Sequence, residues 1–267
     1  MKIGFIGGGV MAEAIMKGIL DASLVKPENL LVSDLDRQRL GYLNKTLNVF
    51  GVESNLEVVN KSDIVILAIK PQNIQEVMVE LKGNFISDKS FLSIVAGVKT
   101  KILQEGLGVD SIIRVMPNTP AQIKKGMTVW TSSKSVSPDI LSFSKKILSV
   151  LGEELYVDDE TLIDMSTALS GSGPAYMFLF MDALINAGIA IGMSKEMSVK
   201  LVRQTLLGSI ELAIGSEFEP TKLKEMVTSP GGTTEAALSK FEEGGFSDLV
   251  SEAVYAAFER AKFLGGK

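Results

Sequence analysis

The chain has 267 residues, 46% of them hydrophobic, and a formal net charge of −5. This length allows one large domain or two smaller ones with a real core, and the acidity argues against a nucleic-acid partner, because basic surfaces supply most of that affinity. The absence of cysteine and histidine excludes disulfides, thiolate nucleophiles and Ser-His triads. We predict no metal site, and the lack of cysteine suits a cytoplasmic location.

Five short apolar runs in the first half of the chain predict strands that alternate with helices. The runs are unbroken, as expected of a parallel sheet whose two faces are both covered. The predicted strands are residues 3–6, 30–33, 63–69, 90–95 and 112–116, and the accompanying predicted helices are residues 11–20, 71–81 and 138–151. This alternation predicts a doubly wound α/β sheet.

The first predicted turn carries a dinucleotide fingerprint. Its spacing, Gly7-x-Gly9-x-x-Ala12, follows a predicted strand and opens a predicted helix. In that context, backbone amides and the helix dipole hold a pyrophosphate. The alternative is a tight glycine turn without a ligand, and the flanking strand and helix favour the dinucleotide site over it.

Asp34 directly follows the second predicted strand, about 20 residues after the fingerprint, where a carboxylate that binds the ribose is expected. Its charge favours NADH, because it repels the 2′-phosphate of NADPH. Ser33 and Arg37 lie beside it in the sequence and can partner such a phosphate, so both coenzymes stay open. A solvated turn carboxylate is the alternative for Asp34.

Two later loops follow predicted strands. They are AIKPQ at residues 68–72 and VMPNTP at residues 115–120. Open α/β sheets bind ligands at the carboxyl ends of their strands, so both loops are candidates for the coenzyme site. The alternative is that their prolines only end the strands.

After about Asp159 the strand patterns stop, and helical patterns follow at residues 174–193, 195–214, 234–243 and 248–263. We therefore predict a dinucleotide-binding domain at residues 1–160 and an all-helical domain at residues 161–267. The segment 174–193 is nearly long enough to span a bilayer, but Asp182 and Asn186 near its middle argue against a membrane span. Its apolar residues cover two faces, which predicts a homo-oligomeric interface.

The helical half contains a second glycine-rich loop, SPGGTT at residues 229–234, which opens directly onto a helix. Its backbone amides, its hydroxyls and the positive helix end suit a small carboxylate. The alternative is a plain connection between helices in which Thr233 or Thr234 is the N-cap. Glu235 in the first turn weakens the attraction for an anion.

Over essentially its whole length the chain resembles the pyrroline-5-carboxylate reductase family. The resemblance rests on GFIGGGVMAEAI, AIKPQ, SIVAGV, RVMPNTP, SGSGPAY and above all LKEMVTSPGGTTEAALSKFE. It implies an N-terminal Rossmann domain followed by an all-α dimerisation domain, in a homodimer that is often the building block of larger rings. The implied reaction is reduction of the C=N bond of 1-pyrroline-5-carboxylate, a cyclic imino acid, by NADPH or NADH to give L-proline.

The resemblance also implies roles for particular residues. For the coenzyme it implies a pyrophosphate loop of Gly7, Gly9, Val10, Met11 and Ala12, ribose contacts from Asn55, Ala68, Lys70 and Pro71, and Asn118 near the nicotinamide. For the substrate it implies a carboxylate grip by Ser229, Pro230, Gly231, Gly232 and Thr233, a catalytic hydroxyl on Thr234 near the ring nitrogen, and a substrate contact by Glu217. Many relatives place small hydroxyl residues at the position of Asp34, so the coenzyme preference stays open.

Two other functions are compatible with such a fold. A β-hydroxyacid dehydrogenase needs a lysine on the helix that follows a glycine-rich entry, but the first lysine after Ser170 is Lys195, beyond the predicted helix. A dinucleotide-sensing protein without catalysis is the other alternative. That alternative assigns no role to the loop at residues 229–234.

Overall fold

The computed structural model describes residues 1–86 and 88–265, and these form two compact units. Unit 1 is built from Met1–Ser172 and from the end of the chain from Ala257 on. Unit 2 is Gly173–Ala256. All strands belong to unit 1, whereas unit 2 is helical. The functional division into residues 1–160 and 161–267 stays a prediction.

The sheet of unit 1 has eight strands, and both units contain helices. The strands are β1 (Ile3–Ile6), β2 (Leu30–Ser33), β3 (Phe50–Gly51), β4 (Ile64–Leu67), β5 (Ser90–Ser93), β6 (Ile112–Met116), β7 (Gly126–Ser132) and β8 (Gly152–Tyr156). The helices are α1 (Val10–Asp21), α2 (Arg37–Leu47), α3 (Asn55–Lys61), α4 (Ile74–Leu81), α5 (Thr100–Leu107), α6 (Pro138–Ser149), α7 (Thr161–Ser166), α8 (Gly173–Ala190), α9 (Lys195–Gly215), α10 (Pro220–Met226), α11 (Thr233–Glu243) and α12 (Phe246–Gly265).

The sheet has the order β3-β2-β1-β4-β5-β6-β7-β8. Neighbouring strands are parallel, except that β6 and β7 are antiparallel. The doubly wound sheet is therefore confirmed, with an antiparallel pair that the sequence did not predict. Because β1 lies between β2 and β4, the strand order reverses there, and a crevice for ligands is expected at their carboxyl ends.

Alternate side chains of the central strands serve two hydrophobic cores. Ile3 and Phe5 of β1 are buried in one core together with residues of α1 and α6. Ile6 is buried in the other core, with residues of α3, α4 and α5. Each fully buried side chain of this size contributes about 1.5–3 kcal/mol. Burial on both faces fixes the strands, and with them the loops at their carboxyl ends.

A buried ion-pair network joins β6, α5 and α7. Arg114 of β6 is 2% exposed, donates to Asp164 at 2.6 Å through Nη2 and donates to Glu160 at 3.0 Å through Nη1. The same Glu160 oxygen accepts bonds from the backbone N–H and the hydroxyl of Thr100, at the start of α5. A buried guanidinium needs such partners, because an unpaired buried charge is costly.

Unit 2 leaves its apolar side chains exposed. All of residues 173–256 are described, and Ser198 is the one buried residue among them. The exposed apolar side chains include Phe178, Leu179, Ile210, Leu212 and Leu249. Apolar surface of this extent is typical of a face that another protein chain covers.

One helical run, Thr161–Ala190, is long and apolar enough to cross a membrane by length and composition alone. Within it, the Asn186 amide donates to the Asp182 carboxylate at 3.0 Å. A charged group at such a position is costly in a bilayer. That the chain has no membrane partner stays a prediction.

Candidate active site

The turn between β1 and α1, residues 7–9 and here called the glycine turn, has the features of a pyrophosphate site. Gly9 is the N-cap of α1, and no side chain caps this helix. A Cβ built on Gly9 would meet nothing within 4 Å. The first-turn N–H groups of α1 therefore have room for an anion in front of them. The residues predicted for the pyrophosphate lie in this turn or in the first turn of α1, namely Gly7, Gly9, Val10, Met11 and Ala12.

Gly7 lies where the carboxyl ends of β1, β2 and β4 meet. Its φ of +95° is unfavourable for other residues, and a Cβ there would lie 2.6 Å from the Ala68 carbonyl oxygen, just after β4. Its N–H donates to the Ser33 carbonyl of β2 at 2.8 Å. Gly7 is thus required by the fold, whereas the space at Gly9 is available to a ligand.

A cluster of polar side chains lies at the carboxyl end of β2, and we call it the ribose cluster: Ser33, Asp34, Asn55 and Glu80. The Ser33 hydroxyl donates to Asn55 Oδ1 at 2.7 Å, and Asn55 Nδ2 donates to Glu80 Oε2 at 2.7 Å. Asp34 Oδ2 accepts the Gly8 N–H at 2.7 Å. The structure thus brings the three predicted residues of this cluster to the glycine turn. Asp34 Oδ1 also accepts the Asp36 N–H at 2.9 Å, as a turn carboxylate does, so the binding of a ribose by Asp34 stays a prediction.

Two residues in this region, Glu80 and Arg39, were not predicted from the sequence. Arg39 of α2 donates to the carbonyls of Gly8 and Gly9 and pairs with Glu13 of α1. It fixes the glycine turn from the side of α2. No local pattern marks either residue, because their partners are distant in sequence.

The loops after β4 and β6 supply the remaining predicted coenzyme residues. Lys70 and Pro71 lie exposed, Lys70 as the N-cap of a short helical turn and Pro71 as its first residue. Asn118 accepts the Met127 N–H at 2.9 Å and donates to the Ser170 carbonyl at 3.0 Å. These bonds hold Thr167–Gly171, a π-helical segment that follows α7, and such segments are frequent at functional sites. The observed contacts tie Asn118 to β7 and to this segment, and its approach to the nicotinamide stays a prediction.

In unit 2, the loop at residues 229–234 binds the side-chain carboxylate of Glu235. The Gly231 N–H donates to Glu235 Oε2 at 2.6 Å, and Gly231 has a φ of +71°. Gly232 is the N-cap of α11 and offers no side chain to its first-turn N–H groups. The predicted N-cap at Thr233 or Thr234 is therefore wrong, because the helix begins one residue earlier than predicted. Substrate binding by this loop stays a prediction. Uncapped amides in this arrangement are suited to an anion.

The other two predicted substrate residues lie near this loop in the sequence. Thr234 is half-buried in the first turn of α11, and Glu217 is exposed in the turn between α9 and α10. Among the described residues, Glu217 makes no hydrogen bond with the loop. The part of the chain that the structure describes also contains no group of three or more acidic, histidine or cysteine side chains arranged to hold a metal ion.

Comparison with known proteins gives matches along the whole chain. Residues 160–264 match the family described as pyrroline-5-carboxylate reductase dimerisation. Residues 2–97 match the family described as NADP oxidoreductase, coenzyme F420-dependent.

The matches to individual relatives also extend over nearly the whole chain. The pyrroline-5-carboxylate reductase of Synechocystis sp. is 41% identical over 100% of this chain and 99% of its own length. That of Pseudomonas aeruginosa is 39% identical over 98% of this chain and 96% of its own. The crystal structure of Plasmodium falciparum pyrroline carboxylate reductase with NADP bound covers 99% of this chain and 98% of its own, with 34% identity and a TM-score of 0.91.

Proposed function

The chain belongs to the pyrroline-5-carboxylate reductase family, and from that premise we propose how its residues carry out the reaction. The enzyme reduces the C=N bond of 1-pyrroline-5-carboxylate with NAD(P)H and gives L-proline, the last step of proline biosynthesis. The β-hydroxyacid dehydrogenase and the dinucleotide-sensing alternatives lose their support. The observation that carries the residue roles is that the Gly231 N–H, just before α11, binds a carboxylate, namely that of Glu235 in the same chain.

The coenzyme binds at the carboxyl ends of β1, β2 and β4. Gly9 and the first turn of α1 bind the pyrophosphate through backbone N–H groups. The ribose cluster binds the adenosine ribose, and Ala68, Lys70 and Pro71 lie along the nucleotide. Asn118 orients the loop after β6 for the nicotinamide. When bound, NAD(P)H supplies the hydride that the imine carbon receives.

The 229–234 loop binds the substrate carboxylate with its backbone N–H groups, and Ser229 and Thr233 add hydroxyl donors. Glu217 contacts the substrate from the turn before α10. The Thr234 hydroxyl, with a water molecule, holds and delivers the proton at the ring nitrogen. A protonated C=N bond is already electrophilic, so the reaction needs no strong base. This explains how a chain without histidine or cysteine performs it.

The oligomer is a homodimer formed through the exposed apolar helices of unit 2. The extent of that surface supports the assignment, as does the match to the dimerisation family. The same match begins at residue 160, which supports a functional boundary close to the one predicted between residues 160 and 161. We place the enzyme in the cytoplasm, where its cysteine-free sequence suits a reducing environment.

Thr234→Ala is expected to lower kcat about tenfold, because the proton at the ring nitrogen then comes from water alone. The KM for the imine and the affinity for NAD(P)H should change by less than about threefold, since the backbone amides stay in place. Thr221→Ala, an exposed threonine on α10, is the matched control. Unchanged steady-state kinetics in Thr234→Ala would remove Thr234 from the mechanism.

The function is tested by adding 1-pyrroline-5-carboxylate to the enzyme with NADH or NADPH and following the loss of absorbance of the reduced nicotinamide. Formation of L-proline in equal amount is the expected result. If neither coenzyme is consumed, the function and the residue roles derived from it are wrong.

A further inference from the structure

The ribose cluster has a fixed direction of hydrogen bonding. A serine hydroxyl has one proton, and Ser33 gives it to Asn55 Oδ1 at 2.7 Å, a much closer contact than the 3.4 Å to the Phe5 carbonyl. Asn55 can accept this proton because its amino group is turned to Glu80 Oε2. Apart from the second N–H of the Asn55 amide, the cluster is therefore left with acceptors, namely the lone pairs of Ser33 and the carboxylate of Asp34.

The negative charge of Glu80 is not neutralised by a cation. Among the described residues, no lysine or arginine forms an ion pair with it. Glu57 on the neighbouring helix α3 differs, since Lys61 bonds to it at 2.6 Å and so lowers the pKa of Glu57 below its ordinary value. Arg39 is engaged by the glycine turn and Glu13. Arg37, exposed at the start of α2, forms no ion pair with Glu80 among the described residues.

We propose that Glu80, acting through Asn55, is a positioning residue that makes this reductase favour NADH over NADPH. The 2′-hydroxyl of NADH can donate to the acceptors of the ribose cluster. The 2′-phosphate of NADPH has only acceptors and a negative charge, so it meets lone pairs and two carboxylates, Asp34 and Glu80. This inference rests on the proposed placement of the coenzyme at the carboxyl ends of β1, β2 and β4.

The test is the dissociation constant of each reduced coenzyme, measured on the full-length enzyme by fluorescence titration without substrate. Glu80→Gln keeps an acceptor for Asn55 and removes the charge, so NADPH should bind about threefold to fivefold more tightly. Glu80→Ala also frees the Asn55 amide and with it the Ser33 proton, and should favour NADPH at least as much. NADH affinity should stay within about twofold in Glu80→Gln, since a neutral 2′-hydroxyl does not sense the charge.

Glu28→Gln is the matched control, because Glu28 is a glutamate at the opposite, amino end of β2 and should leave both constants unchanged. Asp34→Ser should shift the ratio further, about tenfold toward NADPH. A ratio of the two constants that stays the same in Glu80→Gln and Glu80→Ala would overturn the role of Glu80. Failure of the wild-type enzyme to bind either coenzyme would instead overturn the proposed coenzyme site.

Discussion

Gly9→Val is expected to weaken the binding of NADH and NADPH by about 100-fold while the protein stays folded. The backbone at Gly9 has a φ of −63° and a ψ of −176°, which any residue can adopt, and a Cβ there meets no atom within 4 Å. The valine therefore costs the fold little, and the melting temperature should fall by no more than about 4 °C. Its side chain fills the space in front of α1 that the pyrophosphate needs.

Gly7→Val provides the contrast, two residues earlier in the same turn. A side chain at Gly7 requires a φ of +95° and collides with the Ala68 carbonyl, so this variant should lose stability as well as binding. Coenzyme titration and thermal melting of both variants separate the two effects. Undiminished coenzyme binding by Gly9→Val would show that the pyrophosphate does not lie at the start of α1.

Arg114→Met is expected to destabilise unit 1 by about 3–5 kcal/mol, because it leaves the Asp164 carboxylate buried without its cation. Asp164 has a side chain that is only 7% exposed, so water cannot replace the guanidinium. The expected fall in melting temperature is about 10 °C. Glu160 is 29% exposed and should contribute less, since solvent screens its charge.

The double variant Arg114→Met, Asp164→Leu tests this explanation. It removes both charges and should recover much of the lost stability, because an apolar pair of similar volume is often as stable as a buried ion pair. Arg203→Met, at an exposed position of α9, is the control for loss of an arginine as such. Equal destabilisation in the single and the double variant would mean that the loss comes from packing.

Much of the fold was predictable from local apolar pattern. The predicted strands at residues 3–6, 30–33 and 112–116 have the bounds of β1, β2 and β6, because both of their faces are buried and the runs are continuous. The prediction missed β7 and β8, whose sequences GMTVWTS and GEELY mix polar and apolar residues. It also missed α2, which buries only Leu43 and so has little apolar periodicity.

In the candidate site too, the features that are local in sequence were predictable, and those that depend on distant residues were not. The glycine turn is a local feature, since its spacing, strand and helix lie within a dozen residues, and it could be located from the sequence. The ribose cluster and the network around Arg114 depend on pairs that the fold brings together, such as Asn55 with Glu80, 25 residues apart, and Arg114 with Asp164, 50 residues apart. An arginine within the apolar run SIIRVM does signal a buried partner, but it does not say which carboxylate supplies it.

The near absence of buried residues in unit 2 links folding to assembly. If the helices of unit 2 form the proposed homodimer, helices that bury so little of their own apolar surface gain much of their stabilisation from the partner's helices. Folding and association then share one equilibrium, governed by mass action. Thermal melts of the enzyme at increasing protein concentration should therefore show a rising midpoint, and dilution alone should unfold unit 2.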